Sequence, residues 1–498
     1  MKYIHHRPSL FFSFLLILIF SHSTQILLAQ NATSSPYSRF GIGDLNTGGF
    51  ARNLSLGGTE IGLNQPGFIN YGNPASYSSL WFTTYEAGLD FKQYEFKSLS
   101  KEHRTHTSSF SYFDFAFPIK AQKWSLGFGL LPYSNTGYSI TEKRYSAFAE
   151  DEIRTYNGSG GLNNFHIGTG FKASKNLSLG LNTEYLFGVI NNDRTVSYTS
   201  PYYYNTEINS STSIGWFHFK AGLQYKIDSL PVGKSDSIIN LEKKIELLND
   251  SLSKLIGISS GDSSSEIYVR KNLLASEISA AKTMKNNVVN RRAKSDWNLV
   301  LGLVASPAAN LRARSSYLAH SFRYFSYANP EQGVLQRDTI VNIEGQSGNV
   351  RLPLSAGLGF SLTKGNNWVL CGDYSFQQWS DFLFLNSTDS LVDSWKINAG
   401  VQFTPNDRAI KSYWKTMQYR LGFHYEQTYL KLNEKNINDI GISAGFGLPV
   451  RKAGTILHFT FEAGKRGTTE NNLILEKYLK FTFGFTINDR WFVKPKYD

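Results

Sequence analysis

The chain has one cysteine, Cys371, so no internal disulfide can form. No cysteine lies near the N-terminus, which argues against a lipid-anchored leader. After the first thirty residues no apolar run approaches the roughly twenty residues that a membrane-spanning helix needs. Charged residues make up only 18% of the chain. The formal net charge is +12, but it is dispersed, and no Lys/Arg-rich run marks a nucleic-acid surface. Catalytic signatures are missing too, with no GxSxG, Walker loop or zincin helix. Gly41 and Gly43 do not begin a dinucleotide fingerprint, because Asn46 stands where its third glycine would be. His103 and His106 have no further His or Cys beside them, fewer ligands than a metal site uses. The chain reads as a non-enzyme without cofactor or metal.

What is present is alternation. Leu479, Phe481, Phe483, Phe485 and Ile487 point one way, and Lys480, Thr482, Gly484 and Thr486 the other. A period of two is a β-strand. Its length exceeds the usual five or six residues of soluble strands and fits the nine to eleven of a tilted membrane strand. Similar stretches recur from residue 82 onward, giving about fourteen strands, an even number as a closed antiparallel barrel requires. The 15% aromatic content and 42 glycines suit such a wall. The fold expected is all-β, a transmembrane antiparallel barrel.

The organisation follows. Residues 1–29 read as a cleaved signal peptide: Lys2 and Arg7, then the apolar core Leu10 to Phe20, with the cut near Ala29. Residues 30–80 are Gly-, Asn- and Ser-rich without a strand period and read as an N-terminal hatch. Strands one to six occupy 81–227, strands seven to fourteen 297–490, and a tail 491–498. Short turns at 120–123, 174–176, 364–367 and 451–454 are assigned to the periplasmic end. Long loops at 97–107, 137–163, 191–211, 310–350, 380–393, 430–438 and 463–477 are assigned to the outside. The protein is expected in the outer membrane, in contact with its lipid.

Residues 228–296 break the pattern. Ile238, Leu241, Ile245, Leu248, Leu252 and Leu255 form a heptad seam, Gly257 to Ser265 a turn, and Leu274, Ile278 and Ala281 a second apolar face. This is a periplasmic helical hairpin, packed on itself rather than on another chain, since an intermolecular coil sustains more heptads. Residues 235–290 are nevertheless the place where a periplasmic protein would dock.

Charges on the non-apolar faces are costly in lipid and belong in the lumen. Asp90, Lys220, Arg420, His424, Glu426, His458 and Glu462 are such residues. His424 with Glu426, and His458 with Glu462, share strand faces and could perturb each other. Without a nucleophile beside them, a charge network holding the hatch is favoured over acid–base chemistry. Aromatics crowd the outer loops: Tyr202, Tyr203 and Tyr204 in one, Tyr324 and Phe325 in another. Loop packing explains any single one; an apolar landing groove for a hydrophobic ligand would use them together. In strand three the alternation slips at Leu131 and Pro132, where proline has no N–H for a neighbour. Gly127 and Gly129 leave room for a bend. The slip is either the strand's end at the membrane surface or a break in the wall.

With the hatch, Asn73-Pro74-Ala75 at its end and some fourteen strands in view, the chain resembles the long-chain fatty acid outer-membrane transporters (FadL-like barrels), in their Bacteroidota form. The resemblance covers 30–490 except the helical insert. It implies passive uptake of a hydrophobic, fatty-acid-like small molecule, with sideways exit through strand three. It therefore makes Gly127, Gly129, Leu131 and Pro132 a lateral gate and the aromatic loops substrate-binding. The insert departs from that family and supports a second expectation, a structural subunit of an envelope assembly. A continuous apolar path would favour the first, and a sealed, charge-filled lumen the second.

Overall fold

The structure is a computed structural model that describes residues 32–46, 49–145, 151–198, 200, 202–228, 236–258, 265–293, 297–324, 334–385, 387–450 and 454–491. The expected signal peptide, Phe325 and residues 492–498 lie outside the described residues. Nineteen strands form one sheet. Three are two-residue segments, and two long strands are each broken once, which leaves fourteen wall strands. They are β1 Thr83–Lys97, β2 Glu102–Lys120, β3 Trp124–Arg144, β4 Glu152–Lys172, β5 Leu177–Tyr198 and β6 Asn205–Ile227. β7 runs Trp297–Ser306 and resumes as Ala309–Tyr324, and β8 runs Val334–Leu352 and resumes as Ser355–Lys364. Then come β9 Trp368–Gln377, β10 Ser394–Phe403, β11 Gln418–Leu432, β12 Lys435–Val450, β13 Thr455–Arg466 and β14 Leu475–Asp489. The breaks fall at Pro307 and Pro353, which have no N–H to donate to a ladder. The sheet closes where β14 pairs antiparallel with β1, from Leu475 opposite Lys97 to Asp489 opposite Thr83.

The alternation becomes two faces. Outside, Phe459, Phe461, Phe481, Phe483 and Phe91 stack across β13, β14 and β1, with ring centroids 5.0–6.4 Å apart. Inside, Thr482 and Thr486 are fully buried. Among the described residues no helix is long and apolar enough to cross a membrane; the crossing elements are the strands.

The wall is uneven. β3 to β6 are 21, 21, 22 and 23 residues long, whereas β9 and β10 have ten each. Residues 137–144, 152–163, 191–198 and 310–324, expected as loops, are therefore strands. Beyond the membrane both faces are polar, so the ladder continues without an apolar alternation to reveal it. At the start of the expected 380–393 loop the chain turns inward: Trp379 and Phe382 are buried in the bore.

The insert is a pair of helices, α1 Asp236–Ile258 and α2 Ser265–Ala293. Ile278 and Ala281 are buried between them, and Lys285 bonds Glu242 across the pair at 2.8 Å.

Candidate functional site

The hatch fills the bore, and inward-facing glycines are what let it in. A methyl group at Gly170 or Gly180 would strike the backbone of Pro74, and one at Gly222 the side chain of Asn73. One at Gly302 would strike Ile61, one at Gly400 Leu56 and one at Gly422 Gly57. The small residues of the luminal face thus form a belt against which hatch backbone lies directly. Asn73 caps the 3-10 helix Pro74–Ser79, accepting from the Ala75 N–H at 3.1 Å, and donates to the Ile61 carbonyl at 2.8 Å. Proline at the first helical position suits this cap. The Asn-Pro-Ala triplet is a buried anchor of the hatch against β4, β5 and β6.

Luminal side chains hold the rest. Gln224 donates to the carbonyls of Ile61 and Leu63, both at 3.0 Å. Asp373 accepts the backbone N–H groups of Glu60 and Ile61 at 2.5 and 2.9 Å, and Glu86 that of Ile69 at 2.8 Å. Higher up, Arg466 binds Asp44 of the hatch at 2.5 Å and Ser35 at 2.6 Å, with Glu476 at 3.3 Å. Buried charges persist only when paired in this way.

The predicted network residues all lie in the bore, but their partners differ from those expected. His424 reaches Asp439 at 3.6 Å and the Tyr478 hydroxyl at 3.3 Å, and Glu426 faces Lys396 at 3.5 Å. His458 sits between Arg420, at 3.2 Å, and Thr486, at 2.9 Å, while Glu462 accepts from Tyr478 at 3.3 Å. Each residue turns to other strands, adjacent or across the lumen, rather than to its companion two or four residues along its own strand. Lys220 and His218 pair with Glu184 at 3.7 and 2.9 Å, and Asp90 with Lys480 at 3.3 Å. His166 and Asp114, both fully buried and 3.1 Å apart, bridge β4 and β2 across Gly129 of β3. Asp114, Glu184, Lys396, Asp439 and Arg466 were not singled out from the sequence, although their place on the non-apolar faces was signal enough.

Burial shifts five hatch groups, pushing the Tyr37, Tyr71 and Tyr77 hydroxyls up and changing Glu60 and Arg52 as well. Burial pushes the Glu60 carboxyl up to about 7, against the opposing pull of Lys220. Burial lowers Arg52 to about 10, and its guanidinium donates to Gln65 at 2.6 Å and lies over the Phe68 ring.

Above the charges an apolar cluster crosses the bore. It joins Tyr37 and Ile42 of the hatch, the inward Trp379 and Phe382, Leu162, Leu186 and Ile214 from one side and Tyr429 and Ile437 from the other. Beneath it lies a cavity of about 210 Å³, lined by Leu131, Pro132, Tyr133 and Trp395 but also by Glu60, Lys220, Asp373, Lys396 and Glu426.

That cavity abuts a gap in the wall. β2 and β3 pair only from Phe113 opposite Leu130 down to Lys120 opposite Trp124. Above Leu130, β3 pairs with β4 on one side, with a register shift between Pro132 and Ser134. On the other side lies the hatch: Asp44 and Leu45 pair with Asn135 and Ser134, and the Gly137 N–H donates to Ser38. Gly127 and Gly129 lie below the gap, in unbroken ladders. A methyl group at Gly129 would strike Asp114 and the Phe113 carbonyl, whereas one at Gly127 would come within 3.3 Å of the Ala116 methyl. Tyr202, Tyr203 and Tyr204 lie at the tip of the β5–β6 hairpin, where Arg323, next to Tyr324, stacks on Tyr204 at 4.1 Å. They are at the top of the wall, not around the cavity. His103 and His106 are three apart in β2, hence on opposite faces, and do not converge.

No curated protein matches the chain in sequence. Among solved structures, a toluene transporter of Pseudomonas putida, TodX, superposes with a TM-score of 0.50 at 12% identity, covering 89% of this chain and 99% of TodX. The Ralstonia pickettii toluene transporter TbuX gives 0.48 at 11% identity, covering 89% and 98%, and a Pseudomonas aeruginosa FadL homologue 0.47 at 11%, covering 90% and 99%. At such identity the TodX likeness is one of fold alone, a closed antiparallel barrel of fourteen strands. The family model named BamG matches residues 12–286 and 260–498, two stretches that together run through hatch, wall and insert. The chain belongs to the BamG family.

Proposed function

We propose that this barrel is a structural subunit of an outer-membrane assembly, a closed body that presents its helical hairpin to a periplasmic partner. The filled bore is the observation that carries the reading. Hatch backbone rests on luminal glycine, an apolar cluster crosses the top, and paired charges occupy the middle. A hydrophobic molecule taking this route would have to pass Glu60, Lys220, Asp373, Lys396 and Glu426, stripping solvent and partners from charges for no apolar contact in return. The hairpin leaves the wall between β6 and β7, at the end of the short turns, which in such barrels is periplasmic. The test replaces residues 236–293 by a short Gly-Ser turn. Envelope proteins cross-linked to the wild-type barrel are expected to be lost while the barrel still folds. An unchanged cross-linking pattern overturns the docking role.

The gap between β2 and β3 favours a second reading: uptake of a fatty-acid-like molecule that leaves sideways at Leu131 and Pro132. Under this reading the hatch strand on β3 is the movable part. Exchanging Leu45 and Ser134 for cysteines would tether them. Uptake into vesicles carrying the purified protein should then fall to the level of empty vesicles and return on reduction. If the oxidised and reduced proteins, like empty vesicles, all pass the same trace of fatty acid, the barrel is no conduit.

A further inference from the structure

The outer surface of β7 and β8 changes character at one height. Below it the exposed residues are Leu301 and Leu303 on β7 and Leu354, Leu358 and Phe360 on β8, a lipid-facing band. Directly above it stand Arg312 and Arg314 on β7 and Arg351 on β8, all exposed. Their neighbours Leu311, Ala313, Val350 and Leu352 are buried on the luminal side, so the three arginines face outward. Arg312 is opposite Asn349, Arg314 opposite Ser347 and Arg351 opposite Asn310. Two-residue spacing along a strand and the diagonal across the pair set the Cα atoms of neighbouring arginines about 7–8 Å apart. Among the described residues none of the three has a carboxylate partner. Arg312 is held by the Trp216 ring, 3.8 Å from its guanidinium. Asp193, Glu207 and Glu344, acidic groups of this wall, stand higher, beyond Val189, Ser213 and Ser347 on their strands.

Arg312 and Arg314 also line a groove of about 750 Å³ in the outer wall. Ser213, Gly215 and Gly348 contribute small residues to it, and its lower side is Tyr185, Phe187 and Val189, exposed aromatic and aliphatic groups at the top of the apolar band. One edge is cationic and set at headgroup height; the other is apolar and reaches into the acyl region. Guanidiniums bind phosphate through paired N–H groups, and basic pockets at this height hold anionic lipid headgroups. We infer that this groove is a lipid site, which holds the phosphate-bearing headgroup of an outer-leaflet lipid on Arg312, Arg314 and Arg351 and lays an acyl chain along Phe187 and Val189. The leaflet follows from placing the long hairpins outside. The site is independent of whether the bore conducts.

The test uses the full-length barrel in dodecyl maltoside, with diphosphoryl lipid A as probe and native mass spectrometry as readout. The wild type is expected to retain lipid A, and Arg314→Ser with Arg351→Ser to weaken retention about tenfold or more. Adding Arg312→Ser should abolish it. The double variant leaves the Arg312–Trp216 contact intact, and an unchanged heat-dependent gel shift reports a folded barrel. Retention that survives the double variant overturns the site. Equal retention of a neutral diacylglycerol overturns it too, since the guanidiniums would then contribute nothing. Displacement of lipid A by millimolar inorganic phosphate alone would show a simple anion site and overturn the lipid assignment.

Discussion

Arg466 is the residue on which the upper hatch turns. It neutralises Asp44 from the hatch and Glu476 from β14 within one buried site. Replacing it with Met leaves two carboxylates without a counter-charge, and breaking a buried pair in this way costs about 3–5 kcal/mol. The expected outcome is a hatch cut by protease at residues 33–46 in the folded barrel; continued protection would show that Tyr37 and Ile42 suffice. Glu60 gives a pH dependence. Its folded value, raised to about 7, lies above the ordinary carboxyl value of 4.5, so the folded state holds the proton more tightly than the unfolded chain. Its contribution is greatest below pH 4.5 and is lost as pH rises toward 7. Protease access to the hatch should therefore increase from pH 5 to pH 8, and Glu60→Gln should flatten that rise. At this scale the sequence was informative about faces and silent about partners. Alternation placed Arg420, His424 and His458 in the lumen, but a strand's own spacing says nothing of its neighbour's register. Asp439 and Tyr478 could not be paired with His424 before β11 to β14 were curved around one lumen.

Elements were legible where one face met lipid. β14 and β13 carry their aromatic stripe in plain sequence, and the heptad seam gave α1. The tall parts of β3 to β8 were not legible, since polar residues on both faces satisfy strand and loop alike. The hatch was read as irregular for want of a period, and its order comes from contacts hundreds of residues away. The hairpin is the separable element. Ile278→Lys would place a charge in the helix–helix seam without touching the wall. The expected outcome is loss of helical signal in circular dichroism of an isolated 236–293 peptide, while the full-length variant keeps its barrel. An unchanged peptide spectrum would mean that the helices do not need each other. For the gap, Gly129→Val is a poor probe, because the new side chain would meet Asp114 and the Phe113 carbonyl before it altered any opening. Pro132→Val is the cleaner change, because it restores an N–H that the neighbouring strand can use.

The molecule as a whole should resist detergent. Fourteen strands joined edge to edge leave no free end to peel, so the unboiled protein is expected to run faster on a denaturing gel than the boiled one. Identical migration would contradict closure. Protease added to intact cells is expected to spare residues 236–293, and cleavage there would invert the barrel in the membrane.

The glycine belt carries a consequence for assembly order. The hatch precedes β1 in the chain, yet Pro74 lies against Gly170 and Gly180 while Leu56 and Gly57 lie against Gly400 and Gly422, on strands made far later. The ladder between the last and first strands, β14 on β1, shuts the ring around the segment that lies within it. With glycine-sized clearances the folded hatch cannot be threaded in afterwards. The N-terminal segment is therefore expected to be in place before the ring closes, a former around which the wall is bent and which the last strand locks in as a cooper's final stave holds the barrel to its shape.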